Sequence, residues 1–152
     1  MADANRATLG SFMSLTCFQY LRVVAEETAG RALVVSAGRK RGQDLVEALG
    51  LVGSSQDPAT IKAKLNAALA ADGTKLCIIN SIATKPNGGF EIHITEGACT
   101  AGVTATEPHC AFTMGVFIGA VSAITGQRML GHETECCAMG KPECIYQIDP
   151  IS

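Results

Sequence analysis

Apolar residues recur at helical spacing up to about residue 73, and strand-like alternation first enters from residue 75. That switch restricts the fold more than any other feature of the chain. A helix buries a stripe recurring every three or four positions, whereas a half-buried strand buries every second one. A chain that does first one and then the other has to lay helices on a sheet. In the first part, Leu9, Phe12, Met13, Thr16, Tyr20, Val23 and Val24 fall at helical spacing between residues 8 and 30, with Leu15, Phe18 and Leu21 widening the stripe beyond one face. A helix this apolar must touch something on two sides, and Gly30 is its expected C-terminal stop. A second helix is expected over 37–50, ended by Gly50. In a third, Asp57 caps, Pro58 suits the first turn, and Ile61, Leu65 and Leu69 recur every four residues.

Beyond residue 75, the stretch 75–83 is rich in strand formers and "KPNGG" supplies turn residues. Residues 90–96 then alternate, with Phe90, Ile92 and Ile94 on one face and Glu91, His93 and Thr95 on the other. A fourth helix is expected over 107–126, with Pro108 in its first turn and Gly126 at its end. It should be buried, since the run 111–124 is interrupted only by Thr113 and Ser122 among polar residues and is shorter than a membrane span requires. Gly115 and Gly119, one turn apart, allow another backbone to approach closely. Two further strands, over 127–140 and 141–150, are joined by a tight turn at 139–142. The expected fold class is therefore α/β: N-terminal helices packed on an antiparallel sheet of two hairpins, with a buried helix between them. All 152 residues are read as one domain, with a helical part over 1–73 and a motif-bearing part over 75–150.

Charged residues make up only 17% of the chain against 47% apolar, leaner in charge than the roughly one quarter usual for soluble domains. Some apolar surface is thus expected to be covered by a partner subunit or an apolar ligand. A net charge of −2 gives no positive field for nucleic acid. The first residues lack a signal-peptide pattern, so a cytoplasmic location is expected, where thiols stay reduced. Seven cysteines are present. Cys17, Cys77 and Cys99, scattered among apolar neighbours, read as small core side chains.

Three groups of residues bear on chemistry. The basic triplet Arg39, Lys40 and Arg41 lies between glycines without phosphate-loop spacing, and reads as a solvated helix face, or as a contact for an anionic group on a ligand. His93, His109 and His132 form no nucleophile–base pattern, and there is no nucleophile elbow or dinucleotide fingerprint, so the sequence does not point to an enzyme. The third group is "ETECCAMGKPEC" together with Cys110. Cys110 falls in the first turn of the buried helix, where the helix dipole favours a thiolate, and Cys136 and Cys144 flank the last turn. Three converging thiolates repel unless a cation neutralises them, and Zn²⁺ is the usual partner of sulfur-rich sites. Strict strand alternation would make His132 the fourth ligand; a bulge near 131–133 would substitute Glu133.

The stretch "HCAFTMGVFIGAVSAITGQRMLGHETECCAMGKPECIYQI" resembles the 4-vinyl reductase, or hydrocarbon-binding, domain. Its marks are a helix beginning at a cysteine, an apolar helix ending in "TG", a strand with "ETEC" and a terminal "G-x-P-x-C" turn. The resemblance implies a fold shared with haem nitric-oxide sensor domains and TRAPP vesicle-tethering subunits. It also implies a zinc site of Cys110, Glu133, Cys136 and Cys144, the last three standing 23, 26 and 34 residues after the first, as in the phenol-sensing members. With four protein ligands such a site is structural. The histidine and tryptophan that hold phenol in those sensors have no counterpart, since the chain contains no tryptophan. For a stand-alone member, the resemblance implies binding or carriage of an apolar or tetrapyrrole-like molecule, as an accessory to chlorophyll metabolism or photosynthetic complex assembly, in a homodimer. Ligand contacts are expected from Phe12, Phe18, Tyr20, Phe90, Ile92, Phe112 and Met114. The alternatives are a ligand-free assembly factor and a vinyl reductase, the last weakened because nothing looks built to hold a hydride donor.

Overall fold

The structure, a computed structural model, describes residues 6, 8–10, 12–54 and 57–152. Helices α1 (Leu15–Ala29), α2 (Arg31–Ala48) and α3 (Pro58–Leu69) precede strands β1 (Ile78–Thr84) and β2 (Phe90–Thr95). Helix α4 (Ala111–Thr125) then leads into β3 (Met129–Glu135) and β4 (Cys144–Pro150). All strand pairings are antiparallel and the order is β1-β2-β4-β3, so the two hairpins join through β2 and β4 into one sheet. Among the described residues no helix is long and apolar enough to cross a membrane.

The alternation read in the sequence sets which face of the sheet is covered. Phe90, Ile92 and Ile94 from β2 and Tyr146 and Ile148 from β4 are buried on one face, where the Phe117 ring of α4 lies 5.8 Å from that of Tyr146. The opposite face is polar. There His93 lies between Glu91 and Glu143, at 2.7 and 3.2 Å, and Lys85 meets Asp149 at 2.5 Å. Helix α3 leans on β1, with Asn66 Oδ1 accepting the Ile79 N–H at 2.9 Å. Its N-cap is the one expected: Asp57 accepts from the Thr60 amide at 3.1 Å.

Glycines bring α2 onto α4. A Cβ on Gly115 would stand 2.3 Å from the Val35 carbonyl oxygen, and one on Gly119 would stand 2.1 Å from that of Arg39. The other helix carries the same device: Cβ atoms on Gly38 and Gly42 would lie 2.2 and 2.0 Å from the carbonyls of Phe112 and Val116. Each helix thus presents two glycines four residues apart, and the backbones touch directly. The predicted close approach is met, and its partner is the second helix.

Three boundaries differ from the sequence reading. Helix α1 starts at Leu15 rather than near residue 8, because Ser14 caps it and Gly10 takes a positive φ of 73° just before. Helix α2 starts at Arg31 rather than 37: Gly30, at φ 93° and ψ 158°, turns the chain in one residue, so one helix ends and the next begins without a loop. Pro108 lies outside α4, whose N-cap is Cys110. The last turn is also tighter and earlier than expected, a 3₁₀ turn over Cys137–Met139 closed by left-handed Gly140. One expected core thiol is not in the core: Cys77 and Cys99 are buried, but Cys17 is exposed, on the outward side of α1.

Candidate metal centre

Three elements deliver three sulfurs to one point. Cys110 caps α4, Cys136 follows β3, and Cys144 opens β4. All three are fully buried, and their Sγ atoms lie within 4.8 Å of one another, with Cys110 3.4 Å from Cys144 and 4.0 Å from Cys136. Backbone amides point at the other two: the His109 N–H donates to Cys136 Sγ at 3.4 Å and the Cys137 N–H to Cys144 Sγ at 3.2 Å. Cys137 itself is half-buried and stands outside the cluster.

A bulge brings Glu133 to the backbone of Cys110, beside this cluster. Glu133 pairs with Tyr146 and Glu135 pairs with Ile145, so Thr134 is the extra residue in β3. An extra residue reverses the alternation, which lets Glu133 and Cys136 both face inward although an odd number of positions separates them. The bulge falls just after the stretch where the sequence reading placed it, and its effect is the one anticipated: His132 is exposed on the outer side. The Glu133 side chain is 1% exposed. Its Oε1 accepts from Arg31 Nη2 at 2.7 Å and from the Cys110 amide at 3.0 Å, while Oε2 is buried with no hydrogen bond.

Charge is unevenly held here. Burial raises the Glu133 carboxyl to about 7, against the pull of Arg31. Hydrogen bonds from Cys110 and then Cys144 hold Cys136 far below the ordinary thiol range, while the same bonds and burial push Cys110 up. With protein groups alone around them, three thiolates this close repel one another. A divalent cation removes that repulsion, since all three sulfurs then ligate as thiolates. The three sulfurs fit such an ion, with amides directed at two of them; the Glu133 carboxylate lies against the Cys110 amide, outside the group of ligand atoms within 4.8 Å of one another.

Around the cluster lies a polar layer that no sequence pattern announces. Arg31 also donates to the Pro108 carbonyl at 3.2 Å and meets Glu26 at 3.4 Å. Arg22, 4% exposed, is the one described buried residue of α1, and it binds Glu26 and the His109 ring. Burial and the adjacent Arg22 lower the His109 pKa. The Tyr146 hydroxyl is buried without a hydrogen-bond partner. Arg31 and Glu133 are 102 residues apart, a separation at which spacing carries no signal.

The expected ligand contacts do not gather into one site. Phe90, Ile92 and Met114 are packed in the interior, and Tyr20 is 71% exposed. Phe18 and Phe112 meet edge to face at 5.6 Å. Phe12 and Phe18 share an open groove of about 450 Å³ with Met13, Leu15 and Leu76. Met114 lines different grooves, beside α2 and β3.

Helices on one face of a four-stranded antiparallel sheet, with three sulfurs meeting where the last helix reaches the last hairpin, form a fold that known structures share. The chain is similar to the phenol-responsive sensory domain of the transcription activator PoxR, at 18% identity and TM-score 0.65, over 93% of this chain and 76% of that one. It is also similar to a vinyl-4-reductase family protein from Methanocaldococcus jannaschii, at 14% and 0.63, over 95% and 85%. A trafficking protein particle complex subunit 3 from Naegleria fowleri, covalently bound to palmitic acid, matches at 14% and 0.55, over 90% and 89%. An H-NOX protein from S. oneidensis matches at 14% and 0.56, over 99% and 84%. No curated protein matches by sequence. The family signal lies in the C-terminal segment: residues 90–150 match the 4-vinyl reductase domain, the same domain that the cysteine motifs resemble.

Proposed function

We propose that the chain is a small-molecule-binding module whose sheet is fastened to α4 by a structural zinc ion held by Cys110, Glu133, Cys136 and Cys144. The observation that carries the metal reading is the three mutually adjacent buried sulfurs; the fourth ligand is proposed from Glu133, which bonds the Cys110 amide and whose buried Oε2 has no hydrogen bond among the described residues. Such an atom is costly to bury unless something binds it. The ion would supply cross-linking rather than reactivity, since four protein ligands leave no position for an activated water. Binding of a small molecule is supported by the match to the 4-vinyl reductase domain and by sensor relatives of the same fold. The proposal extends to an apolar or tetrapyrrole-like occupant, to a role accessory to chlorophyll metabolism or photosynthetic complex assembly, and to a cytoplasmic homodimer. The exposed apolar side chains Tyr20, Leu21, Val24 and Leu33 on α1 and α2 give a dimer a surface to cover.

The test is native mass spectrometry with elemental analysis of the protein purified from its host under reducing conditions. One zinc per chain together with a co-purifying organic molecule is expected; protein carrying neither would refute the reading. A second reading, a ligand-free assembly factor, is favoured by one observation: Phe90, Ile92, Phe117 and Tyr146 fill the space between α4 and the sheet. Zinc-bound protein with no organic molecule would select it.

A further inference from the structure

Three open grooves along α2 and β3 share lining residues. The first, of about 340 Å³, lies against Arg31, Pro108, Met114, Gly131 and Glu133. The second, of about 470 Å³, is lined by Arg31, Val35, Arg39, Met114, Ile118 and Leu130. The third, of about 440 Å³, takes in Arg39, Gln43, Gln127, Arg128 and Ile151. Arg31 and Met114 belong to the first and second and Arg39 to the second and third, so the three lie side by side along α2 from the metal centre to Arg128. Their walls are held in place from both sides. Arg31 reaches Glu133 and Arg39 donates to the Met129 carbonyl at 3.2 Å, so α2 runs antiparallel to the edge strand, and the eight helical steps from Arg31 to Arg39 span about 12 Å. The floor is apolar. Met114 and Ile118 supply it, and Gly131 leaves it open: a Cβ there would lie 2.9 Å from Ile118 Cδ1.

The far end is cationic and unpaired. Neither Arg39 nor Arg128 has a carboxylate partner among the described residues. Arg39 Nε is buried without a hydrogen bond, and no acidic side chain lines this end, where Gln43, Gln127 and Ser122 add further donors. Of the basic triplet, Lys40 is occupied by Asp44 at 2.6 Å; Arg39 is the member turned toward the groove. Both arginines lie near the carbonyl end of α4, which favours a cation, but that partial charge is less than the two positive charges present.

We infer that these grooves bind an elongated apolar molecule bearing an anionic group, its body over Met114 and Ile118 and its anion between Arg39 and Arg128. The inference rests on the small-molecule reading above and gives that reading a place and a ligand class. Two neighbouring guanidiniums, of which Arg39 is held by the Met129 carbonyl, suit a carboxylate, whose two oxygens match their donors, and each groove is within the range of small-molecule sites.

Calorimetric titration of the zinc-loaded full chain with dodecanoate and with dodecanol tests it, since the two share a body and differ in charge. Dodecanoate is expected to bind at least about tenfold more tightly. The double substitution Arg39→Gln and Arg128→Gln should remove that preference and leave dodecanol affinity unchanged. If the double variant does not fold, Arg128→Gln alone, at a side chain with no hydrogen bond among the described residues, should reduce the preference. Equal binding of acid and alcohol by the native protein, or a preference that survives loss of both arginines, would overturn the inference while leaving the small-molecule reading intact. Failure of both probes to bind would overturn the inference, and failure of the co-purification experiment as well would remove the reading beneath it.

Discussion

Glu133 is tied into the site by one oxygen and unpartnered at the other. Oε1 is held by Arg31 and the Cys110 amide, which orients the carboxylate and leaves Oε2 directed into a buried space. In the proposed site Arg31 positions Glu133 as a ligand, and replacing such partners typically weakens metal binding about 10–100-fold. Arg31→Gln is expected to lower zinc affinity by that factor in competition with a chelating dye, and an unchanged affinity would contradict its role. A different side chain governs pH response. Glu91 first, and Glu143 after it, raises the His93 pKa, while both acids are lowered. A histidine raised on folding stabilises fully below its unfolded value near 6.5 and ceases to do so as pH rises through its folded value; the acids stabilise above about 4.5 and lose this as pH falls. The cluster therefore contributes most between about pH 4.5 and 6.5, modestly because it is partly exposed. His93→Gln should flatten the fall in melting temperature between pH 6 and 8, and an unaltered slope would count against this. Of these residues, the sequence marked the three cysteines outright and left Glu133 and His132 in competition, because alternation fails at a bulge. It was silent on Arg31 and Arg22, whose partners come from distant parts of the chain.

Helices and strands were legible to different depths. The second and fourth helices show why pattern succeeded where it did: Gly115 and Gly119 announced a close contact, and Gly38 and Gly42 complete it. Alanine at Gly38 would gain about 1 kcal/mol of helix propensity but place a methyl 2.2 Å from the Phe112 carbonyl. Gly38→Ala is expected to destabilise by about 1–3 kcal/mol, as overpacking does, in denaturant unfolding; a stabilised variant would show that the helices are not in contact. The first helix shows the limit. Its apolar stripe suggested burial on two sides, yet the buried residue is Arg22, while Tyr20, Leu21 and Val24 face outward. Hydrophobic periodicity assigned this segment to a helix but could not say which side is covered, since Phe18 meets Phe112 of α4 while the buried Arg22 binds Glu26 and the His109 ring before α4. The start of α2 was missed for a local reason, a single glycine replacing a loop.

Taken together, the molecule consists of a helical part resting on a sheet that is itself tied by sulfur to the last helix. If an ion makes that tie, its binding energy is folding energy, and two adjacent cysteines should behave differently. Cys144→Ser should abolish stoichiometric zinc and lower the melting temperature by well over about 5 °C, more than the 2–4 °C that 1 kcal/mol is worth at this size. Cys137→Ser, which keeps the amide that bonds Cys144, should change it little. Equal effects would mean that the wrong cysteine has been assigned. The decisive measurement is X-ray absorption at the zinc edge of the reduced, purified protein. Three sulfurs at about 2.3 Å and one oxygen at about 2.0–2.2 Å are expected. A shell with four sulfurs, one with imidazole nitrogen, or protein from which zinc is absent altogether would contradict the proposed site.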